Sequence, residues 1–226
     1  MQTAADHAGI DAQTGRYTEF GIPATILAHY LRENGIVPGE VRSQLDPLPS
    51  HPAETPEKLA QLVAMLGQFE QHIEDDTPLA DVLPTIYNKY PVRYRDYTLR
   101  ELCQEMHDLY VSFDVKDLQK AMFRKASLPA VAMNPQDANS EFIRGNVELV
   151  RISEAEGAYC RRGALPYPPG VLCVVPGEVW GGAVQRYFLA LEEGVNLLPG
   201  FSPELQGVYS EKDADGIMRL FGYVLK

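Results

Sequence analysis

The sequence predicts an α+β fold, with helices first and strands after, on three observations. Apolar residues recur at three-four spacing in several stretches before Gly145, the signature of amphipathic helices. After Gly145 the pattern changes to period two, the signature of strands. Helices segregated from strands along the chain read as α+β rather than as a parallel α/β alternation. The composition adds that 226 residues, 45 % hydrophobic and 23 % charged, suffice for one large domain or two small ones.

The elements follow in order. Residues 1–20 are polar and turn-rich and read as a loop. Pro23 opens a helix with Ile26, Leu27, Tyr30 and Leu31 on one stripe, and Asn34-Gly35 closes it with a left-handed cap. Ile36-Val37 looks strand-like. Gly39 to Pro56 is rich in proline and nearly without an apolar run, which is unusual between two helices of a compact domain. Glu57–Ile73 is amphipathic through Leu59, Leu62, Val63, Leu66, Phe69 and Ile73, and Glu74-Asp75-Asp76 with Pro78 stop it. That acidic stop suggests a domain boundary between 76 and 77.

Thr98 and Glu101 form a capping box for a helix to about Ser112. Asp114 is expected to cap the next helix and Asn134-Pro135 to start a third. Val147–Ile152 reads as a strand and Val171–Val175 as a short buried one between proline-fixed corners. A helix is expected over Gly182–Glu193 with Gly194 as its end, then strands over Gly207–Ser210 and Met218–Leu225.

Twenty Lys+Arg against 31 Asp+Glu give a net charge of −11, which disfavours nucleic acid and anionic membranes as partners. No apolar run reaches the roughly eighteen residues of a membrane span. Cys103, Cys160 and Cys173 are odd in number and lack metal spacing, so a reducing cytoplasm is expected. His7, His29, His51, His72 and His107 include no pair at helical metal-ligand spacing, and each reads as a surface or half-buried residue. There is no Gly-x-Ser-x-Gly elbow and no phosphate-cradling glycine loop. Pro166-Tyr167-Pro168-Pro169-Gly170 reads as a rigid corner, or as a subunit or substrate-channel wall. Residue chemistry alone shows no self-contained active site.

Several stretches together resemble one family. Gly9-Ile-Asp-Ala-Gln-Thr-Gly15 and Phe20-Gly-Ile-Pro-Ala24 are similar to the small domain of the bacterial pyridoxal-phosphate-dependent ornithine, lysine and arginine decarboxylases. Tyr97–His107, Leu165–Val171, Pro176–Gly182 and Leu198–Phe201 resemble the C-terminal domain of the same family, in its ornithine branch. The resemblance implies a remnant of the small domain over 1–76, then the Orn/Lys/Arg decarboxylase C-terminal domain over 77–226. It implies a parent reaction, L-ornithine to putrescine and carbon dioxide, with pyridoxal 5'-phosphate as electron sink. It also implies that the Schiff-base lysine lies outside this chain, which alone is expected to bind no cofactor and to be inactive. The implied partners are the decarboxylase catalytic domain and further copies in a homo-oligomer. The alternatives are a non-catalytic module docking on a full-length decarboxylase, or a pseudogene fragment.

The resemblance breaks at Gly39–Pro52, where the family reads close to EKCDLNSILFLLTP. One inserted and one deleted base in GC-rich codons turn that peptide into the one present here, so residues 39–52 read as a compensated frameshift. Similar shifts relate Thr3–Ala8 and Tyr159–Arg162 to the family, which makes Cys160 accidental and Met1 an internal start. A family glutamate that resembles the acceptor of the substrate's distal ammonium falls at Gly39, leaving Glu40 one step along as the candidate substrate-binding residue. Residues 3–52 are therefore expected to be poorly ordered. Removal of family partners is expected to expose an apolar wall at Tyr167, Val171, Val179 and Trp180.

Overall fold

The computed structural model describes residues 9–38, 55–167 and 170–225. They are of mixed helix and sheet and fall into two compact units, Met1–Asp108 and Leu109–Lys226.

The first unit is helical. Helix α1 (Ala24–Glu33) buries Ile26, Ala28, Tyr30 and Leu31. It ends as the sequence predicts: Gly35 at φ +74° lets Ile36 N–H reach Leu31 O and Gly35 N–H reach Arg32 O, the double closure of a left-handed cap. Residues 9–38 form a bridged turn and this helix, and the strand expected at Ile36-Val37 is absent. Helix α2 (Pro56–Glu74) starts at Thr55, whose hydroxyl accepts from Lys58 N–H, and packs through Phe69 and Ile73. Two short helices that the sequence did not signal, α3 (Leu79–Val82) and α4 (Pro84–Lys89), follow it. Helix α5 (Leu99–Ser112) carries the predicted capping box, with Thr98 Oγ1 accepting from Glu101 N–H at 3.2 Å and Glu101 Oε2 from Thr98 N–H at 3.0 Å.

The second unit has one core. Helix α6 (Val115–Ala121) follows Asp114, but Asp114 sits at φ +50° and its side chain makes no cap bond, so it turns the chain rather than caps it. Helix α7 (Pro135–Ile143) is capped as expected by Asn134 accepting from Asp137 N–H at 2.9 Å. Strand β1 (Val147–Arg151) lies beside β5 (Met218–Leu225), and β5 beside β4 (Val208–Lys212), all antiparallel in the order β1-β5-β4. A second ribbon pairs β2 (Leu165–Tyr167) with β3 (Glu204–Gln206). Helix α8 (Gly182–Leu197) lays Val184, Tyr187 and Phe188 into the core; Gly194 is inside it rather than at its end.

Two expectations are corrected. Val171–Val175 is not a strand: Val174 makes one bridge with Ala164, while Val171 and Leu172 are exposed. Trp180 is not on an exposed wall. It is 1 % exposed, with its ring edge-to-face on Phe188 at 5.4 Å and its six-membered edge over the Cβ-less Gly222. Tyr167 and Val171 alone of that set are exposed, at 52 % and 48 %. Cys160, read as accidental, is fully buried in the same core. Residues 39–52, with Glu40, lie outside the described residues.

Candidate functional site

The family-like turn of the first unit is built on two glycines and a histidine. Ile10 and Tyr17 bridge, and Asp11 closes the turn between them by accepting from Gln13 N–H, Thr14 N–H and Thr14 Oγ1. These bonds hold the Asp11 carboxyl below its ordinary range, the Thr14 backbone bond first. Gly9, at φ +75°, lies against Gly21 so closely that a Cβ at either position would strike the other's backbone and the His107 ring.

Helix α5 ties down this turn and the end of α2 with one stripe of side chains. Arg100 Nε donates to Ile73 O at 3.0 Å, Gln104 Nε2 to Glu19 O at 3.0 Å, and His107 Nε2 to Thr18 O at 2.8 Å. Positions 100, 104 and 107 share a helix face by spacing. The chain segment Tyr97–His107 is thus structural in its own unit. His107, at 2 % exposure, is more buried than the sequence reading placed it. Gly21→Ala is expected to cost about 1–3 kcal/mol by overpacking. The readout is hydrogen exchange at Thr18 N–H, which donates to Gly9 O, with faster exchange than in the parent chain.

Helix α1 runs from this turn to the Asn34-Gly35 cap, and Glu40 follows Gly35 by five positions in the sequence. Its end is tied down by Glu33, whose carboxylate accepts from Thr85 N–H at 3.0 Å and Thr85 Oγ1 at 2.9 Å. On the same helix, burial pushes the His29 imidazole down to about 4, with the Arg32 charge adding to the effect and Glu33 opposing it. Arg93 and Glu105 form a separate polar tie: Arg93 Nη2 donates to both Glu105 oxygens at 2.6 and 2.7 Å, and Tyr97 Oη donates to one at 2.9 Å. The arrangement positions a turn; among the described residues it offers no nucleophile paired with a base.

In the second unit the segment Gly177–Trp180 is a backbone rung. Cys160 N–H donates to Glu178 O, Gly177 N–H to Cys160 O and Trp180 N–H to Ala158 O on one side; Val179 N–H donates to Ala130 O on the other. Gly177, at φ +88°, passes where a side chain would strike the Met133 carbonyl. A polar group missed by the sequence reading is Glu192. It stands four residues after inward-facing Phe188, and its buried carboxylate accepts from Leu220 N–H at 2.6 Å and from Arg219 Nη1 at 3.3 Å. A charged residue on an apolar stripe was the available signal. Arg219 Nε also donates to Asp213 at 2.9 Å. Cys103, Cys160 and Cys173 are free and buried. Burial pushes the thiols of Cys160 and Cys173 up to about 12, which makes them poor nucleophiles. Among the described residues no group of His, Cys, Asp and Glu could hold a metal ion, and no helix is long and apolar enough to cross a membrane.

Comparison with known proteins places these features. Residues 116–226 match the family model described as the Orn/Lys/Arg decarboxylase C-terminal domain. Over 218 residues the chain is 78 % identical to the constitutive ornithine decarboxylase of Escherichia coli (strain K12), covering 96 % of this chain and 31 % of that protein. It is 61 % identical to the inducible ornithine decarboxylase of the same organism. It is 31 % identical over 205 residues to a lysine decarboxylase of Pseudomonas aeruginosa, covering 89 % of this chain and 27 % of that one. The solved structure of lysine decarboxylase A from Pseudomonas aeruginosa superposes with a TM-score of 0.86 at 30 % identity, over 96 % of this chain and 29 % of that chain. The chain thus spans under a third of the length of these relatives.

Proposed function

The chain belongs to the Orn/Lys/Arg decarboxylase family as a C-terminal portion, and on that premise we propose that it serves the decarboxylation of L-ornithine to putrescine and carbon dioxide in the cytoplasm. The contrast in identity carries the choice of substrate: 78 % to an ornithine decarboxylase against 31 % to lysine decarboxylases. Residues 1–76 are assigned to the small domain and 77–226 to the C-terminal domain, with the family match from residue 116 supporting the second.

Pyridoxal phosphate supplies the electron sink in this chemistry, on a Schiff-base lysine. The described residues do not fit it. Lys116 is the buried lysine among them, beside Asp117 at 3.9 Å. The open depression between α6 and α8 is lined by Ser112, Asp114, Asp117, Arg124 and Arg186 and has no lysine. The proposal therefore assigns the cofactor to a catalytic domain, and to this chain the role of covering and completing it. Exposed Leu59 and Val63 on α2, and exposed Phe123, Leu128 and Val131 in the second unit, support such a partner, because apolar surface of this kind marks contact faces. Further copies in a homo-oligomer belong to the same proposal, as does Glu40 as acceptor of the distal ammonium.

Co-expression of the 226-residue chain with the complementary remainder of the E. coli constitutive ornithine decarboxylase tests this. The pair is expected to release carbon dioxide from ornithine and not from lysine, and the chain alone with cofactor to release none. In the pair, Glu40→Gln is expected to raise KM for ornithine about tenfold or more, the cost of one charge-assisted bond. Turnover by the isolated chain, or a soluble but inactive pair, counts against the reading.

A further inference from the structure

Strand β1 covers only part of β5. Their pairing runs from Val147 opposite Leu225 to Arg151 opposite Phe221, and the chain then leaves the sheet in a tight helical turn over Ile152–Glu154. On the other edge of β5, β4 runs from Val208 opposite Gly222 to Lys212 opposite Met218. At the hairpin end Asp213 N–H donates to Ile217 O at 2.8 Å. Antiparallel pairs alternate between bonded and unbonded. With Asp213 and Ile217 a bonded pair, Met218 and Leu220 turn their N–H and C=O groups away from β4. They face the side on which β1 has already ended.

Two side chains of α8 stand where further residues of β1 would have paired. Asn196 Nδ2 donates to Met218 O at 2.9 Å, and Met218 N–H donates to Asn196 Oδ1 at 2.8 Å. That is the two-bond exchange a neighbouring strand residue makes. One helical turn back, Glu192 Oε2 accepts from Leu220 N–H at 2.6 Å. The i, i+4 spacing puts both side chains on one face of α8. Arg219 holds the carboxylate in place, with Nη1 at 3.3 Å from Glu192 Oε1 and Nε at 2.9 Å from Asp213. Asn196 Nδ2 is fixed as well, by the Glu192 carbonyl at 2.9 Å. A leucine at either position would fill the same space and leave these main-chain groups unbonded.

We propose that Glu192 and Asn196 substitute for the missing end of β1 and close this stretch of β5 to strand addition by a second copy of the chain. An open strand edge is a row of unpaired donors and acceptors, which templates pairing with another chain. A second copy is the occupant to exclude, because it carries the same edge, and two such edges pair antiparallel about a two-fold axis. The two side chains satisfy Met218 and Leu220 from a helix, and a helix offers no new edge in its turn. The inference rests on contacts inside the second unit and does not depend on the decarboxylase reading.

The test uses the full 226-residue chain and the hydrogen exchange of the Met218 and Leu220 amides at low and at high protein concentration. In the parent chain both amides are expected to exchange slowly at either concentration. In Asn196→Ala the Met218 amide is expected to exchange about tenfold faster or more when dilute, the loss of one hydrogen bond. At high concentration it is expected to slow again, with a gain in the infrared band of intermolecular β-sheet, as a second copy covers the edge. Asn196→Asp keeps the shape and loses the donor; it is expected to show the same trend more weakly, and it carries the test if the alanine variant does not fold. Trp180→Phe weakens the same unit and leaves both side chains in place, so it is expected to show no dependence on concentration. Three results overturn the proposal: exchange that depends on concentration in the parent chain, no recovery of protection in the Asn196 variants at high concentration, or the same recovery in Trp180→Phe.

Discussion

Trp180→Ala is expected to destabilise the second unit by about 3–5 kcal/mol, the usual cost of emptying a core site of this size. The indole contacts Phe188 edge-to-face and fills the space over Gly222, with Ile152 on the same glycine. Its neighbours come from α8, β5 and the turn after β1, so collapse around the vacancy would have to move several elements at once. The indole N–H meets no oxygen acceptor among the described residues and has only the Cys160 thiol beside it, a weak sulfur acceptor, so Trp180→Phe should cost less than the alanine variant. Denaturant midpoints followed by far-UV circular dichroism check both, since Trp180 is the single tryptophan and cannot report on its own removal. A loss below 1 kcal/mol for Trp180→Ala would place the ring outside the core.

The first unit is expected to lose stability as pH falls from about 6.5 to about 4, through His29. In the folded chain burial keeps this imidazole neutral down to about 4, with the Arg32 charge acting in the same direction. The unfolded chain takes up the proton near 6.5. Stability from this group is therefore complete above the unfolded value and falls through that window as protons favour the unfolded state. The change is on the order of 2–3 kcal/mol. Hydrogen exchange of the α1 amides, measured from pH 7 to 4 with correction for intrinsic rates, reads it. His29→Gln should flatten the slope in that window, while an unchanged slope in the variant would move the effect to other groups.

What the sequence determined by itself is what short-range bonding decides. Thr98 with Glu101, Asn134 with Asp137, and Gly35 after α1 each satisfy orphan helix-end groups within three to six residues, so they are readable in one window. The family motifs were legible for the same reason, as contiguous words; their structural role was not. Tertiary structure alone decided that role. Gly9 and Gly21 matter because His107 is brought over them from α5. Val171–Val175 had the apolar composition of a strand, but a strand needs a neighbour along its length, and only Ala164 is offered to Val174. Trp180 was buried by α8 and β5. Arg161 was set over the Phe142 ring by pairing with β5, more than sixty residues away for Tyr223. Such contacts depend on which distant segments fold together, and no local pattern of apolar residues, turns or charges encodes that choice.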